Sequence, residues 1–147
     1  SFRNRIVNLY LVLTYIHSLD DKICELNNLK YKTAYKIGYY YRNPLKRNNK
    51  YLKEIMPVIK VKRGVAYIVE QHTLLEFQKY LLKDYIISKG HKCDGYTEMF
   101  SLKINQKQLI EKITHLHNKF KNLNDKELIN NIKSLRQLKF KDVTNKI

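Results

Sequence analysis

The chain has 147 residues, of which 44% are hydrophobic and 29% charged; that is enough apolar material for one cored domain and too much for a disordered chain. Lys and Arg number 29 against 13 Asp and Glu, a formal net charge of +16, which points to a polyanionic partner, nucleic acid before an anionic membrane. Cys24 and Cys93 are too few for a disulfide-built scaffold and fit a reducing compartment, and the longest apolar run, Leu9 to Leu13, is too short to span a bilayer.

Residues 4–18 are predicted to form a helix. Ile6, Leu9, Tyr10, Leu13 and Ile16 follow helical spacing, and Val7, Leu11, Val12 and Tyr15 make the other side apolar too. Arg3 and Arg5 before an apolar run have the order of a signal peptide, but no small-residue cleavage site follows. Asp20 and Asp21 offer an N-cap to a short helix over 21–27, and Asn27-Asn28 signals a turn. A second helix is expected over 31–42, ended by Pro44. Residues 43–50 read as a basic polar loop and 51–56 as one helical turn.

From Pro57 the period changes. Val58 to Val61 and Val65 to Val69 flank Lys62-Arg63-Gly64 and read as a β-hairpin. Thr73 is the expected N-cap of a helix over 73–87, with Leu74, Phe77, Leu81 and Tyr85 on one stripe. A loop over 88–97 follows, and Phe100, Leu102 and Ile104 alternate in a third strand over 98–104. Leu109, Ile113, Leu116, Phe120 and Leu123 are spaced 4, 3, 4, 3, two heptads of a coiled-coil seam. Leu128, Ile132, Leu135 and Leu138 form a second stripe after a break at Asn124-Asp125. These two helices are expected to fold onto their own domain or onto a second subunit.

The charge is uneven. Residues 1–29 are neutral, whereas residues 30–63 hold Lys30, Lys32, Lys36, Arg42, Lys46, Arg47, Lys50, Lys53, Lys60, Lys62 and Arg63 against Glu54 alone, a net +10. The same stretch holds six of the 12 tyrosines, namely Tyr31, Tyr35, Tyr39, Tyr40, Tyr41 and Tyr51. Basic side chains neutralise phosphates, and tyrosines hydrogen-bond phosphate or stack on exposed bases. An AT-rich coding bias would explain abundant Lys and Asn, but not their clustering.

Within this stretch the spacing fits a helix–turn–helix. Ile23 and Cys24 would be the apolar and small residues of the first helix, Asn28 the turn, Leu29 its plug, and Ala34 and Ile37 the buried side of the second helix. Its outward side would then be Lys32, Tyr35, Lys36 and Tyr39, with Lys30 and Tyr31 at its start, poised for a major groove. The segments ICELNNLKYKTAYKI and MPVIKVKRGVAYIVEQHTLLEF together resemble the winged helix–turn–helix of excisionase-type and MerR-like proteins over about residues 20–82. The resemblance implies site-specific duplex DNA binding, with the wing residues Lys62 and Arg63 on phosphates or in the minor groove. The connector over 43–56 is longer than that class has.

Other chemistry is weakly marked. His115-Leu116-His117 has the spelling of a nickase motif in a helical context, which splays the two rings. His91 and Cys93 lack further ligands at metal spacing. Glu98 and Glu111 have no paired acid of the kind nuclease chemistry uses, and no phosphate-binding glycine loop is present. The expectation is therefore an α+β, mostly helical winged helix–turn–helix domain over 1–104 with a β-hairpin wing. A C-terminal helical dimerisation extension over 105–147 completes it. The protein would be a cytoplasmic, nucleoid-associated, non-enzymatic DNA-binding homodimer without metal, cofactor or membrane contact. It would pair through Leu109, Ile113, Leu116, Phe120 and Leu123, and act in transcription regulation or in plasmid or phage maintenance. The alternative is a structural RNA-binding protein such as a ribosomal component.

Overall fold

The computed structural model describes residues 2–16, 33–43, 51–88 and 96–145. Strands β1 (Ile6–Tyr15), β2 (Thr33–Tyr40), β3 (Tyr51–Glu54), β4 (Ile59–Lys62) and β5 (Met99–Phe100) form one antiparallel sheet. Helices α1 (Arg63–Glu76), α2 (Lys83–Ser88), α3 (Gln106–Phe120) and α4 (Asp125–Asn145) complete an α+β fold. β1 is the spine. Along one edge it pairs with β2, from Asn8↔Tyr40 to Tyr15↔Thr33. Along the other edge it takes β4 against Ile6 to Leu9 and β3 against Val12 to Thr14. β5 borders β2 through Tyr35↔Phe100 and Lys36↔Met99.

The helix expected over 4–18 is thus a strand. A segment apolar on both sides suits a strand covered on both faces as well as an internal helix, and periodicity alone does not separate them. Here the β-branched and aromatic content (Ile6, Val7, Tyr10, Val12, Thr14, Tyr15) favours the sheet. Leu9, Leu11 and Val12 are fully buried in it.

The expected recognition helix over 31–42 is likewise β2. Thr33, Tyr35, Ile37, Tyr39 and Tyr40 are strand formers, Gly38 is a poor helix residue, and β1 and β5 offer ladder partners on both edges. Tyr35 and Tyr39 therefore point to the face opposite Lys36, rather than sharing one helical surface with it. The short helix over 21–27, the Asn28 turn, Lys30, Tyr31 and Lys32 lie outside the described residues. The helical turn expected over 51–56 is β3.

The wing is also replaced. Val58 to Val61 contributes β4, but Lys62-Arg63-Gly64 runs directly into α1, which contains Val65 to Val69. That apolar run carries no alternation. α1 packs against the sheet and against α3 and α4, so it is apolar on two sides, and a short run of this kind reads equally as a strand. Thr73 is inside α1 rather than at its start, and its Oγ1 donates to the Val69 carbonyl at 2.7 Å. The helix expected over 73–87 is split by the 3-10 turn Gln78–Tyr80, and the third strand shrinks to Met99–Phe100.

The C-terminal helices form where expected. Asn124 caps α4, its Oδ1 accepting from the Glu127 amide at 2.9 Å while Glu127 Oε1 accepts from the Asn124 amide at 3.3 Å. Leu109, Ile113, Leu116 and Phe120 are buried in one core with Leu9, Leu11 and Ile37 of the sheet and Val65, Ile68 and Val69 of α1. The heptad stripe is therefore covered within the chain. Gly64 lets α4 approach α1: a Cβ there would lie 2.6 Å from Leu128 Cδ2.

Candidate nucleic-acid interface

The two faces of the sheet divide the expected binding residues. Cross-strand partners share a face, so Leu9↔Tyr39 and Leu13↔Tyr35 put both tyrosines on the side covered by α1 and α3. The Tyr35 hydroxyl is turned to Gln106 Oε1 of α3, 3.4 Å away. Tyr39 sits beside Arg63 of α1, whose guanidinium is 5.9 Å from the ring centre. Its phenol is pushed above the ordinary value first by burial and then by Glu70, partly offset by Arg63.

Lys36 lies on the other face, with Tyr10 and Gly38. It is 7% exposed, so it is not a surface cation. Its Nζ donates to the Tyr51 hydroxyl of β3 at 3.4 Å and sits 5.5 Å from the centre of that ring. The Tyr10 hydroxyl meets the same Tyr51 oxygen at 3.2 Å. Burial, foremost, pushes the Tyr10 phenol well above its ordinary value, with further contributions from Tyr51, Glu98 and Glu70, so Tyr10 keeps its proton. Taking an ammonium out of water costs several kcal/mol unless it is paired, and here a phenol oxygen and a ring face receive it. Lys36, Tyr35 and Tyr39 thus form no common outward surface of the kind expected of a recognition helix.

The exposed charge gathers elsewhere. At the end of the sheet where β1 begins and β2 ends, the Arg5 guanidinium lies 4.6 Å from the centre of the Tyr41 ring and the Arg42 guanidinium 5.5 Å from it. Tyr41 is 45% exposed, and Arg5 and Arg42 are exposed too. Lys53 of β3 and Lys60 of β4 are exposed along the edge of β1, and Lys62 and Arg63 are half-buried where β4 meets α1. Glu54, the one acid of residues 30–63, is half-buried and its Oε1 accepts from the Val58 amide at 3.0 Å, which turns it to the backbone. The acid of this stretch is thus engaged internally, while Lys53 and Lys60, paired with Leu13 and Asn8, stand on opposite faces of the sheet edge. Lys46, Arg47 and Lys50 lie outside the described residues. Arg5 was not expected as a binding residue, and Tyr41 only as one of the six tyrosines of the basic stretch. Arg5 falls in a charge-neutral stretch of sequence, and only the pairing of β1 with β2 brings it to Tyr41.

Among the described residues no group of three His, Cys, Asp or Glu side chains could hold a metal ion, and no helix is long and apolar enough to cross a membrane. His115 and His117 lie on α3, while His91 and Cys93 lie outside the described residues. Comparison with protein-family models, with curated proteins and with solved structures gives no match.

Proposed function

We propose that the chain binds duplex DNA, without chemistry on it, through the exposed cluster of Arg5, Tyr41 and Arg42, with the edge lysines Lys53 and Lys60 adding positive charge. The observation that carries this reading is the exposed Tyr41 ring flanked by two guanidinium groups. Arginine forks match phosphate oxygens, and a tyrosine hydroxyl between them adds a donor to the same backbone. Lys53 and Lys60 add positive charge along the sheet edge, so electrostatic docking dominates. The reading covers a regulatory or plasmid- or phage-maintenance protein acting at the nucleoid. Homodimerisation, expected from the heptad spacing, would need a surface other than the stripe from Leu109 to Phe120.

A second reading is a structural RNA-binding protein. The same exposed ring favours it, because aromatic faces beside arginine stack on unpaired bases.

The readings separate on labelled duplex DNA, competed by random duplex and by structured RNA at about 150 mM salt. The expected result is preference for duplex, weakened by Arg42→Ala and by Lys60→Ala. Preference for structured RNA with a larger loss in Tyr41→Ala favours the RNA reading. Binding to neither overturns both.

A further inference from the structure

A concave site lies at the start of α1. It is a cavity of about 250 Å³ lined by Phe2, Arg3, Tyr39, Arg63, Tyr67 and Arg136, with apolar closure from Ile132 of α4. Its composition is unusual for this chain. Lysines outnumber arginines 23 to 6, yet three of the six arginines line this cavity and no lysine does. Arginine, unlike lysine, binds phosphate with two parallel N–H donors and stacks on flat rings.

One of these arginines is held against aromatic rings. The Arg63 guanidinium lies 3.8 Å from the centre of the Phe2 ring and within reach of Tyr39. No carboxylate lines the cavity. α1 begins here with Lys62 at its N-cap, no side-chain cap and no acid in its first turn. The positive end of a 14-residue helix therefore adds to the three guanidinium groups instead of being neutralised. Phe2 is 64% exposed and Tyr67 half-buried, leaving aromatic surface beside the cations.

We infer that this cavity binds a phosphorylated nucleotide, with its phosphate between Arg3, Arg63 and Arg136 and its base against Phe2 and Tyr67. A small cavity that joins several phosphate-binding forks to exposed rings matches a phosphate joined to a base more closely than either alone. This rests on the nucleic-acid reading and deepens it. The Arg63 amide donates to the Arg5 carbonyl at 2.8 Å, so the cavity adjoins the Arg5–Tyr41–Arg42 surface. A strand whose 5′-phosphate sat in the cavity would continue onto that surface. The same chemistry is met by a free mononucleotide or by the 5′ end of a strand.

The test measures binding of a short oligonucleotide with a 5′-phosphate and of the same oligonucleotide with a 5′-hydroxyl. Protein variants are Arg63→Gln and Arg136→Gln, the latter exposed on α4; far-UV circular dichroism checks their folding. Nucleoside monophosphate and inorganic phosphate serve as competitors. The expected result is a preference of about tenfold for the 5′-phosphate, lost in both variants and kept in Lys60→Ala. Lys60→Ala should weaken both oligonucleotides alike, which separates this site from the general surface. Direct binding of the mononucleotide without any duplex binding would sink the surface reading and keep the cavity. Competition by the free mononucleotide identifies a small-molecule ligand, and its failure to compete identifies the strand end; both support the site. No preference for the 5′-phosphate, its survival in the arginine variants, or equal competition by inorganic phosphate overturns it.

Discussion

The phenol of Tyr10 occupies the space that any side chain at Gly38 would need: a Cβ there would fall 2.5 Å from the Tyr10 oxygen and 2.7 Å from Cζ. The missing side chain lets the ring lie across β2 and hold its hydroxyl on Tyr51. Gly38→Ala should therefore displace the ring. An overpacked strand position of this kind costs about 1–3 kcal/mol, readable from urea denaturation. In a double-mutant cycle Tyr10→Ala should recover part of the loss. Additive losses would show that the ring does not depend on Gly38.

Lys36→Met replaces a buried ammonium by an apolar chain of similar length. Because the desolvation penalty is removed together with the Tyr51 bond, stability should stay within about 1–2 kcal/mol of the parent. A much larger loss in urea denaturation would mean that the ammonium is paired far more strongly than by one phenol.

Gly64 and Leu128 form a second tight pair, with a Cβ built on Gly64 falling 2.6 Å from Leu128 Cδ2. Gly64→Ala should destabilise by about 1–3 kcal/mol, and Leu128→Ala, which truncates a fully buried side chain, by about 2–5 kcal/mol. The double variant should lose less than the sum. Strict additivity in thermal unfolding would place α4 elsewhere.

Stability should fall at both ends of the pH range. His72, stacked on Phe120 with ring centres 5.5 Å apart, is held below its ordinary value of 6.5, first by burial and then by Lys119 and Lys112. His117 is lowered too, by burial and Lys121. A histidine depressed on folding contributes fully above its unfolded value, and the contribution is lost as pH falls below 6.5 through the folded value. Tyr10 is raised above its ordinary 10.0, chiefly by burial, so its contribution is full below pH 10 and is lost as pH rises further. His72→Phe should flatten the acid limb in thermal melts, and Tyr10→Phe the alkaline limb. Unchanged limbs would sink the assignment.

Salt dependence should separate surface from interior. Lys60 is exposed on β4, and Lys60→Ala should flatten the slope of log binding constant against log salt by about one phosphate equivalent. Lys36→Met should leave that slope nearly unchanged, because its charge is buried. Equal effects would mean that Lys36 contacts the nucleic-acid backbone as an ordinary surface cation.

The sequence by itself determined the α+β class, the concentration of positive charge over 30–63, and the C-terminal pair of helices with their break at Asn124-Asp125. Those features are local. A 4, 3, 4, 3 stripe is satisfied within one helix and its neighbour, and net charge needs no fold. Tertiary structure decided the identity of β1 and β2, because apolar runs buried on both sides carry no period that separates strand from helix. It also decided that Lys62-Arg63-Gly64 starts a helix rather than turning a hairpin, because α1 lies between the sheet and α3 with α4. The candidate surface shows the same limit. Strand register takes Lys36 out of the basic stretch into the interior and carries Arg5 from a neutral stretch to Tyr41, and helix packing brings Arg136 to Arg63; no spacing in the chain encodes those contacts.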